Sequence, residues 1–224
     1  MTVRRGEDWG EPGALADSCP VFAEDRSAGR FVRDRLAEHQ TADGRVVGAG
    51  PTIELGLLGG DLHASLGSPR HSERDLRAGS GTRFTIDLGL VRGERVGGGE
   101  FEECFLAHLV AMERRRVGTL FSARTVVVMN ATHRGDQDLG PRAHPNDGLL
   151  DITDGQLLWA ERMRAGKRMR TGSHLPHPML ATSRARTIEF RFSRPASLEV
   201  DGSPVGSATE MGVRCVPDAL VVVV

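Results

Sequence analysis

The chain has 224 residues, 39% of them hydrophobic, and a formal net charge of −1 at pH 7. This length is enough for one large domain or two small ones, and the near-zero charge gives no electrostatic case for binding nucleic acid. The apolar run 220–224 is too short to span a bilayer, and no apolar signal segment follows the polar start. We therefore expect a cytoplasmic protein with no nucleic-acid partner.

The three cysteines, Cys19, Cys104 and Cys215, are widely separated, and the sequence has no CxxC pair. This pattern supports neither a zinc site nor a disulfide framework. We expect three reduced structural thiols in a reducing compartment.

The first 66 residues are predicted to form an arm followed by one small α/β unit. Residues 1–19 are polar with scattered glycine and proline, which predicts a loose arm. Residues 20–23 predict a strand, 27–39 a helix by the spacing of their apolar residues, and 53–58 a buried strand. A strand–helix–strand order favours parallel pairing.

Beyond residue 66 most segments have the pattern of strands. The predicted strands are 84–90, 105–112, 120–129, 187–192, 198–200, 211–216 and 220–224, and the one predicted helix in this half is 155–170. Short strands at close spacing are typical of a β-sandwich. We therefore predict an α+β fold, with a small, truncated α/β (Rossmann-like) nucleotide-binding domain at 20–66 and a β-sandwich domain at 67–224.

The stretch 126–151 carries the most information about function. An apolar strand ends in Asn130, a glycine-rich connection follows, and Asn146, Asp147 and Gly148 form a predicted tight turn. A short carboxylate beside exposed turn carbonyls suits a hard cation that prefers oxygen ligands. On the residues alone a plain Asx turn is the favoured alternative.

This stretch, with its PNDGLLD motif, resembles the signature of the bacterial diacylglycerol kinases and related lipid kinases of the NAD-kinase-like superfamily. Three further resemblances follow in the family's order. Residues 56–67 resemble a contracted PxGTxND(F/L)AxxLG, residues 86–89 resemble IDLG, and 198–204 with 217–220 resemble VDGEP and PxAL. The resemblance implies an α/β domain that holds ATP, a β-sandwich, and an acceptor cleft between them.

For metal and nucleotide binding, the resemblance implies two groups of residues. Asp147 would be a ligand of a structural Mg²⁺, with the carbonyls of His144 and Leu149 beside it. Asp61 matches the aspartate of the family's ND pair at the ATP and Mg²⁺ site. Gly59 and Gly60 precede Asp61 in the contracted motif, which lacks the family's phosphate-facing threonine.

The family's GGDGT phosphate loop does not occur in this sequence. Its best-placed counterpart is 23–27, in which Asp25 and Ser27 would replace the aspartate and threonine. Ala23, Glu24 and Arg26 then stand where the family's backbone N–H groups approach phosphate, so we expect ATP binding to be weak or lost. An ordinary helix cap is the alternative interpretation of Asp25 and Ser27.

The family's catalytic base is also replaced. The glutamate of VDGEP corresponds to Ser203, whose hydroxyl does not accept a proton at neutral pH. Asp201 of the same motif remains as a catalytic candidate. Because phosphoryl transfer depends on positioning and on charge neutralisation by metal, these losses predict a poor kinase.

Three functions stay open from the sequence. The first is an ATP-dependent lipid kinase with impaired activity, the second a non-catalytic protein that binds a lipid or nucleotide, and the third a β-sandwich interaction module. The expected partner is a lipid or small-molecule acceptor, and a homodimer is left open.

Two lesser features have ordinary alternatives. The basic run 162–170 is compatible with peripheral contact with anionic lipid headgroups, but a solvated helix face is the favoured interpretation. His174 and His177 form an HxxH pattern, but the neighbouring prolines argue against a helix that presents both rings to a metal, so a structural role is preferred.

Overall fold

Strands dominate the part of the chain that the structure, a computed structural model, describes: residues 9–38, 53–113 and 123–224. The strands are β1 Glu11–Pro12, β2 Val21–Phe22, β3 Ile53–Leu57, β4 Thr82–Arg95, β5 Glu100–Phe105, β6 His108–Glu113, β7 Thr125–Met129, β8 His133–Arg134, β9 Gln137–Asp138, β10 Leu150–Gly155, β11 Leu180–Ala185, β12 Thr187–Val200 and β13 Ser203–Val223. The helices are α1 Asp25–Glu38, α2 Asp61–Leu66, α3 Glu73–Arg77 and α4 Trp159–Met169. The fold is α+β, as predicted.

The α/β layer is built from β2, α1 and β3. Phe22 of β2 pairs with Leu57 of β3 in parallel register, which confirms the predicted strand–helix–strand unit. Apolar residues spaced along α1, such as Ala28 and Val32, are fully buried. The helix therefore packs one apolar face onto this short parallel pair.

Strand β13 joins the α/β layer to the β-sandwich. Its first part pairs antiparallel with β12 and its last residues pair in parallel with β3, with Leu220 opposite Ile53. The register against β4 shifts between Val216 and Leu220, where Asp218 has a φ of 52°. This bulge changes the strand's direction, as bulges do, so one strand serves both layers.

Two apolar clusters fill the two layers. The larger lies within the sandwich and is built from strand residues such as Val91, Phe105, Leu109 and Phe190. The second packs α1, α2 and β3 onto β4 and the end of β13, through Val32, Leu62 and Val222 among others. Helices α1 and α2 therefore pack against the second cluster, whereas Leu76 of α3 lies in a smaller separate cluster.

Several predicted boundaries differ from the structure. The strand expected over 105–112 is two strands, because the chain turns between Phe105 and His108. The predicted strands 198–200 and 211–216 are parts of the long strands β12 and β13, and the predicted helix 155–170 begins only at Trp159. Helix α3 was not predicted; a capping box between Ser72 and Asp75 starts it.

The prediction of a loose arm was wrong for residues 9–19. Strand β1 pairs with β4, and the backbone N–H of Leu15 donates to the carbonyl of Leu76 at 2.9 Å. The Leu15 side chain is 2% exposed and packs against Leu76 and Val223. This segment is therefore part of the core, although its composition is polar.

We expect Leu15→Ala to lower the free energy of unfolding by about 2–5 kcal/mol, because it leaves a cavity among fully buried side chains. The exposed Asp17→Ala is the matched control and should change stability by less than about 0.5 kcal/mol. Urea unfolding of both variants measures this. Equal, small effects would show that the segment is not packed.

Candidate functional site

Asp25 lies at the start of α1 and caps the N-terminus of α2. Its Oδ2 accepts hydrogen bonds from the backbone N–H groups of Asp61 and, at 3.2 Å, of Leu62. Its Oδ1 is buried and has no hydrogen-bond partner among the described residues. Burial, reinforced by the charge of Asp201, raises the pKa of Asp25 to about 8, so this side chain is mostly protonated at neutral pH.

Gly59 and Gly60 let this part of the chain approach the 23–25 segment closely. A Cβ on Gly59 would lie 2.9 Å from the carbonyl oxygen of Ala23. Gly60 has a φ of 101°, and a Cβ there would lie 2.5 Å from Oδ2 of Asp25. These two glycines therefore serve an internal contact between chain segments, which is a role for glycine that the sequence did not indicate.

The side chains of the 23–27 loop bond to one another. Arg26 pairs with Glu24 at 2.7 Å, and the Ser27 hydroxyl donates to the same carboxylate at 3.4 Å. The Arg26 guanidinium, helped by the hydrogen bond from Ser27, holds the pKa of the Glu24 carboxyl below its usual range. The loop is thus a short polar network at the start of α1 and does not present the bare backbone of a glycine-rich phosphate loop.

Asp61 contacts a histidine that the sequence gave no reason to select. One Asp61 oxygen accepts from the N–H of Gly135 at 2.7 Å, and the other lies 3.5 Å from Nδ1 of His108. His108 is 1% exposed, and neither ring nitrogen has a hydrogen-bond partner in the part of the chain that is described. Burial lowers the pKa of His108 to about 4, so the ring is neutral at pH 7.

The Asp201 carboxylate closes the turn between β5 and β6. Its Oδ2 accepts from the N–H of Leu106 at 2.8 Å, and its Oδ1 accepts from Ala107 at 3.0 Å and His108 at 2.9 Å. Burial raises the pKa of Asp201 to about 6, against the opposing effect of these bonds. Asp201 was predicted as a catalytic candidate, and the structure shows its carboxylate used to hold backbone.

A pocket of about 280 Å³ lies between α1 and the turn from β12 to β13. Ser203, which was predicted to stand at the position of the base, lines this pocket beside Asp201. Four guanidinium groups also line it, those of Arg26, Arg30, Arg33 and Arg95. The structure thus places Ser203 at a cavity, whereas Asp25 and Asp61 do not line it.

The predicted metal loop is a second, separate site. Asp147 accepts from the N–H of Leu149 at 3.0 Å through Oδ1, and its Oδ2 pairs with Arg184. Arg184 also donates to Asp151 at 3.0 Å, so one guanidinium bridges two carboxylates. The Nδ1 of His144 accepts from the N–H of Asn146 at 3.2 Å.

These contacts do not fit the Mg²⁺ predicted at Asp147, His144 and Leu149. A metal ion would have to displace Arg184, which already neutralises Asp147 and Asp151. Among the described residues no group of three or more His, Cys, Asp or Glu side chains is arranged to hold a metal, whereas the predicted set consists of one carboxylate and two backbone carbonyls. Arg184 lies 37 residues from Asp147 in the sequence, so its approach is visible only in the fold, and the Mg²⁺ site stays a prediction.

The two lesser features of the sequence remain outside both sites. His177 accepts from the N–H of Met179 at 3.2 Å, and His174 is buried, which is consistent with structural roles. Helix α4 leaves Met163 61% exposed within the basic run 162–170. Each helix that the structure describes is too short or too polar to span a membrane.

Comparison with known protein families gives a match over the C-terminal half. The model of the YegS C-terminal NAD kinase beta sandwich-like domain matches residues 108–224, just over half of the chain. A protein of Stenotrophomonas maltophilia (strain K279a) described as "Probable lipid kinase YegS-like" is 36% identical over 85 residues. That match covers 37% of this chain and 27% of the relative, so the chain matches about a quarter of the relative's length.

Solved structures share the fold at low sequence identity. A diacylglycerol kinase structure from Bacillus anthracis str. Sterne is 14% identical, with a TM-score of 0.51 over 78% of this chain and 68% of the other. A second structure from this organism, assigned to the same kinase group, has a TM-score of 0.56 and 12% identity over 90% and 83% of the two chains. Because the family model matches more than half of the chain, the chain belongs to the family of the YegS C-terminal NAD kinase beta sandwich-like domain, and the diacylglycerol kinase structures share its fold.

Proposed function

We propose that this chain is a lipid-kinase-like protein in which ATP-dependent phosphorylation of a lipid hydroxyl is strongly impaired. Its remaining activity is then to bind a lipid or small-molecule acceptor in the pocket beside Ser203. The observation that carries the proposal is the internal use of the aspartates at the nucleotide positions. Asp25 caps α2, and Asp61 contacts Gly135 and His108.

The nucleotide positions do not fit Mg²⁺ and ATP phosphates as they stand. A carboxylate binds Mg²⁺ in its ionised form, whereas burial raises the pKa of Asp25 to about 8 and keeps this side chain mostly protonated near neutral pH. The space next to the backbone of Gly59 and Gly60 is occupied by the 23–25 segment. No step of the proposed function therefore passes through a bound nucleotide.

The pocket beside Ser203 lacks a general base for the acceptor hydroxyl among the residues that the structure describes. Removing a hydroxyl proton requires a group within hydrogen-bond reach whose pKa lies near neutrality. The Ser203 hydroxyl does not meet this requirement, and His108 is 1% exposed and so does not contact a molecule in the pocket. Loss of the base alone costs about 10²–10⁴ in rate.

We expect ATP turnover by the wild-type protein to be at background with diacylglycerol and with a panel of other lipid alcohols. Ser203→Glu should give at most a slight gain, because the nucleotide positions stay obstructed. Ser207→Glu, the same change elsewhere on β13, is the matched control. Transfer of labelled phosphate to lipid measures the reaction, and robust wild-type turnover would show that the base and the nucleotide site lie elsewhere.

The protonation of Asp25 predicts a particular dependence of stability on pH. Since its pKa rises from an ordinary 3.8 to about 8 on folding, the folded state holds a proton that the unfolded state loses between these values. The stability contributed by Asp25 is therefore present at low pH and is lost as pH rises through 8. His108 has the opposite effect on stability. Because folding lowers its pKa from 6.5 to about 4, the free energy of unfolding that depends on His108 rises with pH between these two values.

Between pH 6.5 and 8 we thus expect the free energy of unfolding to fall by about 1–2 kcal/mol in the wild type. Asp25→Asn should remove most of this slope, because the amide oxygen still accepts from the start of α2 and carries no charge. Urea unfolding at four pH values measures both proteins. Identical slopes would mean that Asp25 is ionised throughout.

A further inference from the structure

The arginine pocket, defined by Arg26, Arg30, Arg33, Arg95 and Ser203, has a chemistry that a neutral lipid alcohol does not satisfy. We propose that it binds a phosphate monoester, carried either by a lipid headgroup or by a small soluble molecule. This inference rests on the proposed function, since it names the ligand class of the same acceptor pocket.

Helix α1 supplies three of the guanidinium groups. Arg26, Arg30 and Arg33 follow one another at spacings of four and three residues, which places them on one face of the helix. Arg95, near the end of β4, lines the same cavity from the β-structure. A ligand between these elements therefore meets arginines from two layers of the fold, beside the acidic residues Glu103 and Asp201.

The neighbouring acidic groups neutralise part of this charge, since Arg26 pairs with Glu24 at 2.7 Å and Arg33 pairs with Asp34 at 2.9 Å. Glu103 is shared, since it pairs with Arg33 at 2.9 Å and lies 3.9 Å from Arg95. The Asp201 carboxylate is already bonded to three backbone N–H groups. Arg30 has no hydrogen bond or ion pair with any residue that the structure describes, and so it is available to a ligand.

Guanidinium geometry favours phosphate as the occupant. Its planar fork of N–H donors matches two phosphate oxygens, and these charge-assisted bonds are stronger than bonds to a neutral hydroxyl. A volume of about 280 Å³ lies at the low end for ligand pockets, which suits a headgroup and leaves acyl chains outside. Pro204 and Val205 line the pocket as well and offer apolar contact where such chains would begin.

The replacement of the family's glutamate by Ser203 fits this ligand. A glutamate here would place a carboxylate among the arginines and would compete with a bound anion. A serine adds no negative charge, so the arginines remain available to the ligand. Its hydroxyl also donates a hydrogen bond to a phosphate oxygen. The same substitution that removes the base therefore creates an anion site.

The test uses vesicles of phosphatidylcholine that contain either phosphatidic acid or diacylglycerol, with the full chain and three variants. We expect the wild type to bind the phosphatidic acid vesicles and not the diacylglycerol vesicles. Arg30→Gln and Ser203→Glu should each weaken this binding about tenfold, the value of one charge-assisted hydrogen bond. Lys167→Gln removes a charge from the basic run of α4 and should leave binding unchanged.

Competition with glycerol 3-phosphate separates the two sources of the ligand. Displacement of the protein from vesicles, together with direct calorimetric binding that Arg30→Gln weakens, assigns the site to phosphate monoesters in general. Vesicle binding that glycerol 3-phosphate does not displace assigns it to the lipid form.

Three results would overturn the inference. These are no binding of either phosphate probe by the wild type, full binding by Arg30→Gln and Ser203→Glu, or an equal loss in Lys167→Gln, which would assign the contact to α4. Unfolding midpoints of all variants verify that each is folded. Failure of the proposed function appears separately, as wild-type turnover of ATP, and does not alter the vesicle result.

Discussion

Backbone N–H groups at a helix start or a tight turn must find acceptors once they are buried, and in this chain aspartates provide them. Asp201 holds three successive N–H groups of the β5–β6 turn, and Asp25 holds the first two of α2. Asp87 does the same between the 147–149 turn and the bend of β13, accepting from Gly148 at 2.7 Å and Asp218 at 3.0 Å. Each carboxylate joins segments that are distant in sequence, so the arrangement of the two layers depends on them.

This structural use of carboxylates limits the chemistry of the protein. Burial raises the pKa of Asp25 and Asp201 against the opposing effect of their backbone hydrogen bonds, and these bonds occupy lone pairs that a Mg²⁺ ion would need. At the second site a guanidinium, that of Arg184, provides the positive charge beside Asp147. Together with Ser203 at the predicted position of the base, these features support the proposal that the protein binds an acceptor while phosphoryl transfer is impaired.

The sequence predicted what depends on local periodicity and missed what depends on distant partners. The β2–α1–β3 unit and the strands of 187–224 were predicted because their apolar residues repeat at helical or strand spacing. The break between β5 and β6 was missed because its cause, Asp201, lies more than 90 residues away. Arg184 at the predicted metal loop and the meeting of Arg95 with α1 were missed for the same reason, and His108 carried no signal beyond being a polar residue in an apolar run.

The most direct test of the central claim is the thermal unfolding of the full chain with ATP, with Mg²⁺, and with both together. A ligand held by the native state at 100 times its Kd stabilises it by about 2.7 kcal/mol, which is a measurable rise in Tm. We expect no saturable rise in Tm with Mg²⁺ alone or with ATP and Mg²⁺ together, because the carboxyl groups of Asp25 and Asp61 make hydrogen bonds within the fold. A saturable rise that requires ATP and Mg²⁺ together and is lost in Asp61→Asn would contradict it.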